Sequence, residues 1–190
     1  MAQYIDIHTH NPRPDIPSPT MSGIHPWEAE REVTLPDLSL CDIIGETGLD
    51  YACTVEREAQ KSLFEWHLTE AARWHKPVVR HCVKALEDVM PLLRKHKIQR
   101  AVFHGFIGST QQAERAIAEG YALSFGERSL QSPRTRQVIV AAPLENMFLE
   151  TDDRADIAIE EIYHKVAAIR GVSVEELQVA IEKNYELLFR

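Results

Sequence analysis

The chain has 190 residues, 44% of them hydrophobic and 26% charged, a balance typical of a folded protein and not of a disordered or membrane-spanning one. Its 21 Lys and Arg residues against 29 Asp and Glu residues give a net charge of −8, which disfavours tight non-specific binding to duplex DNA. We expect a single cytoplasmic domain over residues 1–190, because the sequence has no export signal, no stretch apolar enough to span a membrane and no cysteine pattern typical of disulfides.

Short apolar runs alternate with longer amphipathic stretches, a pattern typical of βα units around a parallel sheet. Seven strands are predicted, at residues 3–8, 21–25, 42–46, 77–81, 100–104, 121–125 and 146–150. Helices are predicted near residues 55–75, 85–95, 110–119, 157–169 and 174–188. Capping signatures open two of these helices, at Ser109-x-x-Gln112 and Ser173-x-x-Glu176. The pattern therefore predicts an α/β fold.

The first predicted strand ends in His8-Thr9-His10. Side chains two residues apart in a strand point to the same side, so both imidazoles could bind one metal ion. Such a pair, taken alone, is also compatible with a surface position or with a hydrogen-bonded core. The pair indicates a metal site only when the residues at the ends of the other predicted strands are considered with it.

Most of the other predicted strands also end near a residue that can bind a metal. A solvated turn carboxylate or a buried core histidine could explain each one separately, but histidines at equivalent ends of neighbouring strands favour ligation. In a parallel barrel the reaction centre lies at the carboxyl ends of the strands. Mixed imidazole and carboxylate ligands suit Zn²⁺, Mn²⁺ or Fe²⁺ better than Ca²⁺ or Mg²⁺ alone. The candidate ligands are His8, His10, Glu46, His81, His104 and Asp152.

With these motifs in this order, the chain resembles the TatD-type metal-dependent deoxyribonucleases of the amidohydrolase superfamily. The resemblance spans nearly the whole chain. It rests on Asp6-Ile7-His8-Thr9-His10, Gly23-Ile24-His25-Pro26-Trp27, Ile44-Gly45-Glu46-Thr47-Gly48-Leu49-Asp50-Tyr51, Pro77-Val78-Val79-Arg80-His81, His104-Gly105-Phe106-Ile107-Gly108-Ser109, Glu150-Thr151-Asp152 and the closing residues 184–189.

The resemblance implies a TIM-like (β/α) barrel, shortened here to about seven parallel strands, that holds two divalent metal ions. Zn, Mn, Mg and Fe are the candidate metals. The implied ligands are His8, His10 and Asp152 for one ion and His81 and His104 for the other, with Glu46 as a bridge.

The resemblance also implies catalytic roles for Asp152 and Glu46. A water between the ions would attack phosphorus, and Asp152 would accept its proton. His25 is expected near the site as a contact to the substrate phosphate, although it could equally be a loop residue fixed by Pro26. Helical histidines such as His67 are expected to be exposed or to lie at helix ends.

The chain departs from the family pattern in three places. Only about fourteen residues separate His10 from His25, so one βα unit is expected to be missing. Val83 stands where the family commonly has an arginine, and Asp153-Arg154 replaces a proline-containing loop. These differences concern substrate binding and leave the candidate metal ligands intact.

Three functions are compatible with the sequence. The first is a metal-dependent phosphodiesterase or deoxyribonuclease that acts on single-stranded DNA or a small phosphodiester. The second is a hydrolase of the same superfamily that cleaves an amide, ester or lactone. The third, a non-catalytic metal-binding relative, is disfavoured because all six candidate ligands are present.

Overall fold

The computed structural model describes residues 2–190. The described chain divides into two compact units. Unit 1 contains residues 2–18 together with His104–Arg190, and unit 2 contains Pro19–Phe103. That residues 1–190 form a single domain stays a prediction.

Unit 2 contains four parallel strands in chain order, each hydrogen-bonded to the next. They are β1 (Met21–Ser22), β2 (Ile43–Asp50), β3 (Val78–Val83) and β4 (Ala101–Phe103). Its helices are α1 (Arg57–Trp74), α2 (Leu86–Lys95) and a 3₁₀ turn at Pro26–Glu28. The first residues of β2 and β3, among them Ile43, Ile44 and Val79, are fully buried, as expected for parallel strands covered on both faces.

Unit 1 contains two parallel strands and most of the helices. They are β5 (Ala122–Phe125), β6 (Met147–Leu149), α3 (Thr110–Ala118), α4 (Glu127–Gln131), α5 (Pro133–Ala141), α6 (Ile159–Arg170), α7 (Val174–Leu188) and a 3₁₀ turn at Leu144–Asn146. The predicted capping boxes of Ser109 and Ser173 begin α3 and α7.

The described residues form six strands instead of the predicted seven, because residues 3–8 form no regular strand. Successive amides in this segment use different partners. Asp6 N–H donates to Pro17 O at 3.0 Å, whereas Ile7 N–H donates to Leu149 O at 3.1 Å. The amides of a central strand alternate between two neighbouring strands, but here the neighbour on one side is a proline-rich loop. Its prolines have no N–H to donate to a ladder, so no regular strand forms on that side.

Helices α4 and α5 were not predicted. Helix α5 begins with Pro133. Proline is well accommodated in the first turn of a helix, because an N–H at that position would have no intrahelical partner. Ser132 caps the same turn by accepting a hydrogen bond from Thr135 N–H.

Two polar side chains hold irregular segments of unit 1 in place. The Tyr163 hydroxyl on α6 lies 3.1 Å from both the amide nitrogen and the carbonyl oxygen of Ile5. Asn184 on α7 donates to Leu144 O at 2.7 Å and to Met147 O at 2.9 Å. Buried backbone groups need such partners where no sheet supplies them. Among the described residues, no helix is long and apolar enough to cross a membrane.

Candidate metal centre

Three of the predicted ligands meet in unit 1. His8 Nε2 lies 3.4 Å and His10 Nε2 lies 3.6 Å from the same carboxylate oxygen, Oδ1 of Asp152. The His8 side chain is buried, that of Asp152 is largely buried, and that of His10 is half exposed. The sequence-based expectation that these residues lie together therefore agrees with their placement in the structure.

The separations of these atoms fit ligands of one ion better than hydrogen bonds. N–H···O hydrogen bonds are about 2.7–3.2 Å long, and both distances exceed that range. Two atoms that each bind one ion at about 2.0–2.2 Å lie roughly 3–3.5 Å apart. The imidazole and carboxylate donors of this cluster thus fit a transition-metal ion in both chemistry and spacing.

The backbone fixes this arrangement. His10 N–H donates to Asp152 O at 2.9 Å, and Asp152 N–H donates to His8 O at 3.0 Å. Asp152 has a positive φ of 56°, a conformation that Asp adopts more readily than most residues. Strand β6 ends at Leu149, and the chain turns at Asp152.

His104 directly follows β4 and lies beside the His8 ring, with 4.6 Å between the ring centroids. Its Nδ1 is 3.4 Å from Oε1 of Glu150, which is fully buried. The same carboxylate oxygen accepts a hydrogen bond from Gly105 N–H. The buried Glu150 carboxylate therefore lies beside the His104 ring, at a distance beyond that of an ordinary hydrogen bond.

Arg128 is an exposed residue beside Asp152 that the sequence-based reasoning missed. Its Nη1 lies 3.4 Å from Oδ2 of Asp152, and its Nη2 donates to Asp153 at 2.8 Å. The two oxygens of Asp152 thus face different groups, with the histidines on one side and the guanidinium on the other.

A second cluster lies within unit 2 and contains Glu46, His25 and His81. Oε1 of Glu46 lies 2.9 Å from Nδ1 of His81 and 3.1 Å from Nε2 of His25. Together these three side chains form a group that could hold a metal ion. The structure thus places His25 against a candidate ligand, where sequence reasoning left a substrate contact and a simple loop residue open.

Glu46 does not lie at a strand end as predicted. Strand β2 continues to Asp50, and its pairing with β3 shifts register between Ile44 and Thr47. This irregularity surrounds Glu46, so the side chain leaves the strand at a break in the ladder. Two glycines flanking it, Gly45 and Gly48, have positive φ angles and lie so close to β3 that a Cβ would clash there.

Comparison with known proteins assigns the family. The family model described as TatD related DNase matches residues 18–190. The chain belongs to this family. Two relatives are YjjV of Escherichia coli strain K12, called an uncharacterized metal-dependent hydrolase, and a protein of Erwinia amylovora called 3'-5' ssDNA/RNA exonuclease TatD.

The chain is 34% identical to YjjV over 145 residues, which cover 68% of the chain and 56% of YjjV. It thus matches little more than half of that relative. Identity to the Erwinia protein is 29% over 200 residues, which cover 88% of the chain and 76% of the relative.

Two solved structures of the family show the same fold. A TatD family hydrolase from Entamoeba histolytica aligns with a TM-score of 0.79 at 21% identity and covers 92% of this chain and 75% of its own. E. coli YjjV aligns with a TM-score of 0.78 at 22% identity, and the alignment covers 99% of this chain and 98% of YjjV. The predicted fold class, a shortened α/β fold of the TIM-like type, is confirmed.

In this TatD family member, Asp50 is a further polar residue of the unit 2 cluster. Its Oδ2 lies 3.1 Å from Nε2 of His81 and accepts a hydrogen bond from the indole N–H of Trp27 at 2.7 Å. Burial acts to raise the pKa of Asp50, but hydrogen bonds from Trp27, Ala52 and His81 hold it below its usual value. The carboxylate is therefore charged at neutral pH and orients His81.

Helix α1 carries two buried polar side chains that support this cluster. Gln60 accepts from Asp50 N–H at 2.7 Å and donates to Asp50 O at 2.9 Å. Nε2 of His67 accepts from Ile24 N–H at 2.9 Å, next to His25. The signal that could have revealed both is their spacing, because positions 60, 64, 67, 68 and 71 share the buried face of α1.

The expectation that His67 is exposed is wrong, since the residue is fully buried. An amide N–H can only donate, so Nε2 carries no proton and the ring proton lies on Nδ1. Nδ1 is 2.8 Å from Leu63 O and 2.9 Å from Oγ1 of Thr47. A neutral His67 thus connects the residue before His25 with the residue after Glu46.

We predict a pH-dependent loss of stability from His67. Burial lowers its pKa from 6.5 to about 4, so below pH 6.5 the unfolded chain binds a proton that the folded chain does not. The free energy of unfolding should therefore decrease as the pH falls, by about 3 kcal/mol from this residue between pH 6.5 and 4. Urea unfolding of metal-free wild type and His67→Gln across this range measures the difference.

The difference in the free energy of unfolding between wild type and His67→Gln should decrease by that amount as the pH falls from 6.5 to 4. Asp6, whose pKa burial raises to about 7, acts with the opposite sign in both proteins and cancels in the difference. His164→Gln, at an exposed position, is the matched control and should show no such trend. A His67→Gln difference that stays constant with pH would contradict the buried neutral ring.

Proposed function

We propose that the chain is a divalent-metal-dependent phosphodiesterase that shortens single-stranded nucleic acid. The observation that carries this proposal is the convergence of His8 and His10 on one oxygen of Asp152, at 3.4 and 3.6 Å. Those distances favour a shared ion over a direct hydrogen bond.

Within unit 1, His8, His10 and Asp152 would hold one ion. Within unit 2, His81 and Glu46 would hold another, and His25 lies close enough to Glu46 to act as a further ligand or as a substrate contact. The assignment of His104 to the second ion and the bridging role of Glu46 come from the family resemblance and stay predictions. We also propose that the two metals are drawn from Zn, Mn, Mg and Fe.

The chain's own groups account for proton movement and charge. Bound divalent ions supply a nucleophilic water at neutral pH and offset the charge of the phosphodiester. Asp152 would accept the proton of the attacking water, because its carboxylate lies against the proposed metal ligands His8 and His10. Arg128, more than half exposed beside this carboxylate, is placed to attract the anionic substrate.

The nucleic-acid substrate is proposed from relatives. The Erwinia protein is called a 3'-5' ssDNA/RNA exonuclease, and a 3' to 5' exonuclease removes nucleotides from a free strand end. A single strand also suits a chain with a net charge of −8, which would bind a duplex weakly without local cations. We therefore expect cleavage of single strands in preference to duplexes.

The test starts from purified protein stripped with a chelator and reloaded separately with Mg²⁺, Mn²⁺, Zn²⁺ or Fe²⁺. We expect two ions bound per chain, and cleavage of a single-stranded oligonucleotide only by the loaded protein. A simple phosphodiester, an ester and an amide are assayed in parallel. Cleavage of the ester or amide with no action on either phosphodiester would reject the proposal in favour of a small-molecule hydrolase.

A further inference from the structure

Trp27 is an exposed aromatic residue held rigidly beside the unit 2 cluster. The residue is 53% exposed, yet its indole N–H donates to Oδ2 of Asp50 at 2.7 Å. Its backbone N–H donates to Nδ1 of His25 at 3.3 Å. One hydrogen bond therefore holds the indole and the other holds its backbone, while much of the ring surface remains in water.

The ring lies next to two members of the candidate metal cluster. Its centroid is 4.4 Å from that of His25 and 6.1 Å from that of His81, and both contacts are edge-on. Asp50 joins the same indole to His81, since one oxygen accepts from Trp27 and lies 3.1 Å from Nε2 of His81. A group covering Trp27 would thus sit beside residues proposed to act on the scissile phosphate.

We propose that Trp27 is the stacking platform for a nucleobase of the substrate, next to the phosphate that is cleaved. This inference rests on the proposed function and specifies how the substrate is bound. Bases of any type stack on aromatic side chains, because every base has a π-face. A pre-positioned indole loses little conformational freedom when the base binds.

The charge of the chain favours this mode of binding. With a net charge of −8, general attraction to a polyanion contributes little. Stacking does not depend on the net charge of the chain, so it can supply binding energy that general attraction to the phosphates does not. Binding by stacking also predicts that the protein shows little preference among the four bases.

The kinetic test compares short oligothymidylate with the same oligomer carrying abasic residues at its 3' end. Trp27→Leu and Trp27→Phe both remove the indole N–H that donates to Asp50, so the comparison of these two variants isolates stacking. For oligothymidylate, kcat/KM of Trp27→Leu should lie roughly 5- to 150-fold below that of Trp27→Phe, the range expected for one stacked base. On the slower abasic oligomer the two variants should be equally active. Trp74→Leu is the matched control, because Trp74 is also exposed but contacts Glu70 and Arg73. A difference between Trp27→Leu and Trp27→Phe that is the same on both oligomers would overturn the proposal.

A binding measurement tests the same contact without catalysis. The variant Trp66→Phe, Trp74→Phe keeps Trp27 as the sole tryptophan, and its fluorescence is recorded in chelated protein during titration. Oligothymidylate should quench the emission, and the abasic oligomer should not. If the wild type cleaves no nucleic acid, the proposed function fails and this titration alone decides the inference. Quenching would then support base stacking, and its absence would overturn it.

Discussion

Asp152→Asn should reduce turnover by at least roughly 10²–10⁴-fold, the contribution of one positioned proton acceptor, while the protein stays folded. The amide is nearly isosteric and still offers an oxygen, but it cannot accept a proton and carries no charge. Because Oδ1 of Asp152 lies 3.4 Å from His8 and 3.6 Å from His10, weakened metal binding adds to the loss. Steady-state kinetics at saturating metal measure it.

Asp153→Asn is the matched control. Asp153 is one residue on and half exposed, and its carboxylate pairs with Arg128 at 2.8 Å. Its removal costs one surface ion pair, which is worth little, so turnover should change far less than in Asp152→Asn. Equal activity of Asp152→Asn and wild type at saturating metal would remove Asp152 from the mechanism.

Glu46→Gln should weaken metal binding by at least roughly tenfold to a hundredfold, the cost of losing even a group that only supports a ligand. The amide replaces a charged donor that lies 2.9 Å from His81 and 3.1 Å from His25. Isothermal titration with Mn²⁺ or Zn²⁺ measures the affinities. Glu58→Gln, at an exposed position paired with Lys61, should bind metal as the wild type does.

The same titration separates two roles for Glu46. A bridging carboxylate, as the family resemblance implies, supplies an oxygen to each ion, so both sites should weaken in Glu46→Gln. His81→Ala should weaken mainly one site. If Glu46→Gln kept two sites of full affinity, neither ligation nor bridging by Glu46 could stand.

The parts of the fold that could be predicted from sequence are those that a local pattern determines. Helices α3 and α7 begin at the predicted serines, because a capping box is contained within four residues. Residues 3–8 were predicted as a strand because their apolar pattern fits one, but the partners of Asp6 and Ile7 lie far apart in the sequence. No local pattern reports such pairing.

The candidate site follows the same distinction. The sequence motifs identified His8, His10 and Asp152 as candidate ligands because histidine and aspartate commonly bind metal ions. They missed His67 and Gln60, whose effects depend on which face of α1 is buried. They missed Arg128 because α4 is a five-residue helix with no recognisable periodicity.

The hydrogen bonds of Tyr163 to Ile5 affect the order in which the two clusters can form during synthesis. Glu46, His25 and His81 come from the continuous stretch Pro19–Phe103, so this cluster can assemble while the ribosome is still translating later codons. The segment bearing His8 and His10 depends on Tyr163, Leu149 and Asp152 for its hydrogen bonds. The nascent chain therefore cannot complete its first histidine pair until α6 has left the exit tunnel.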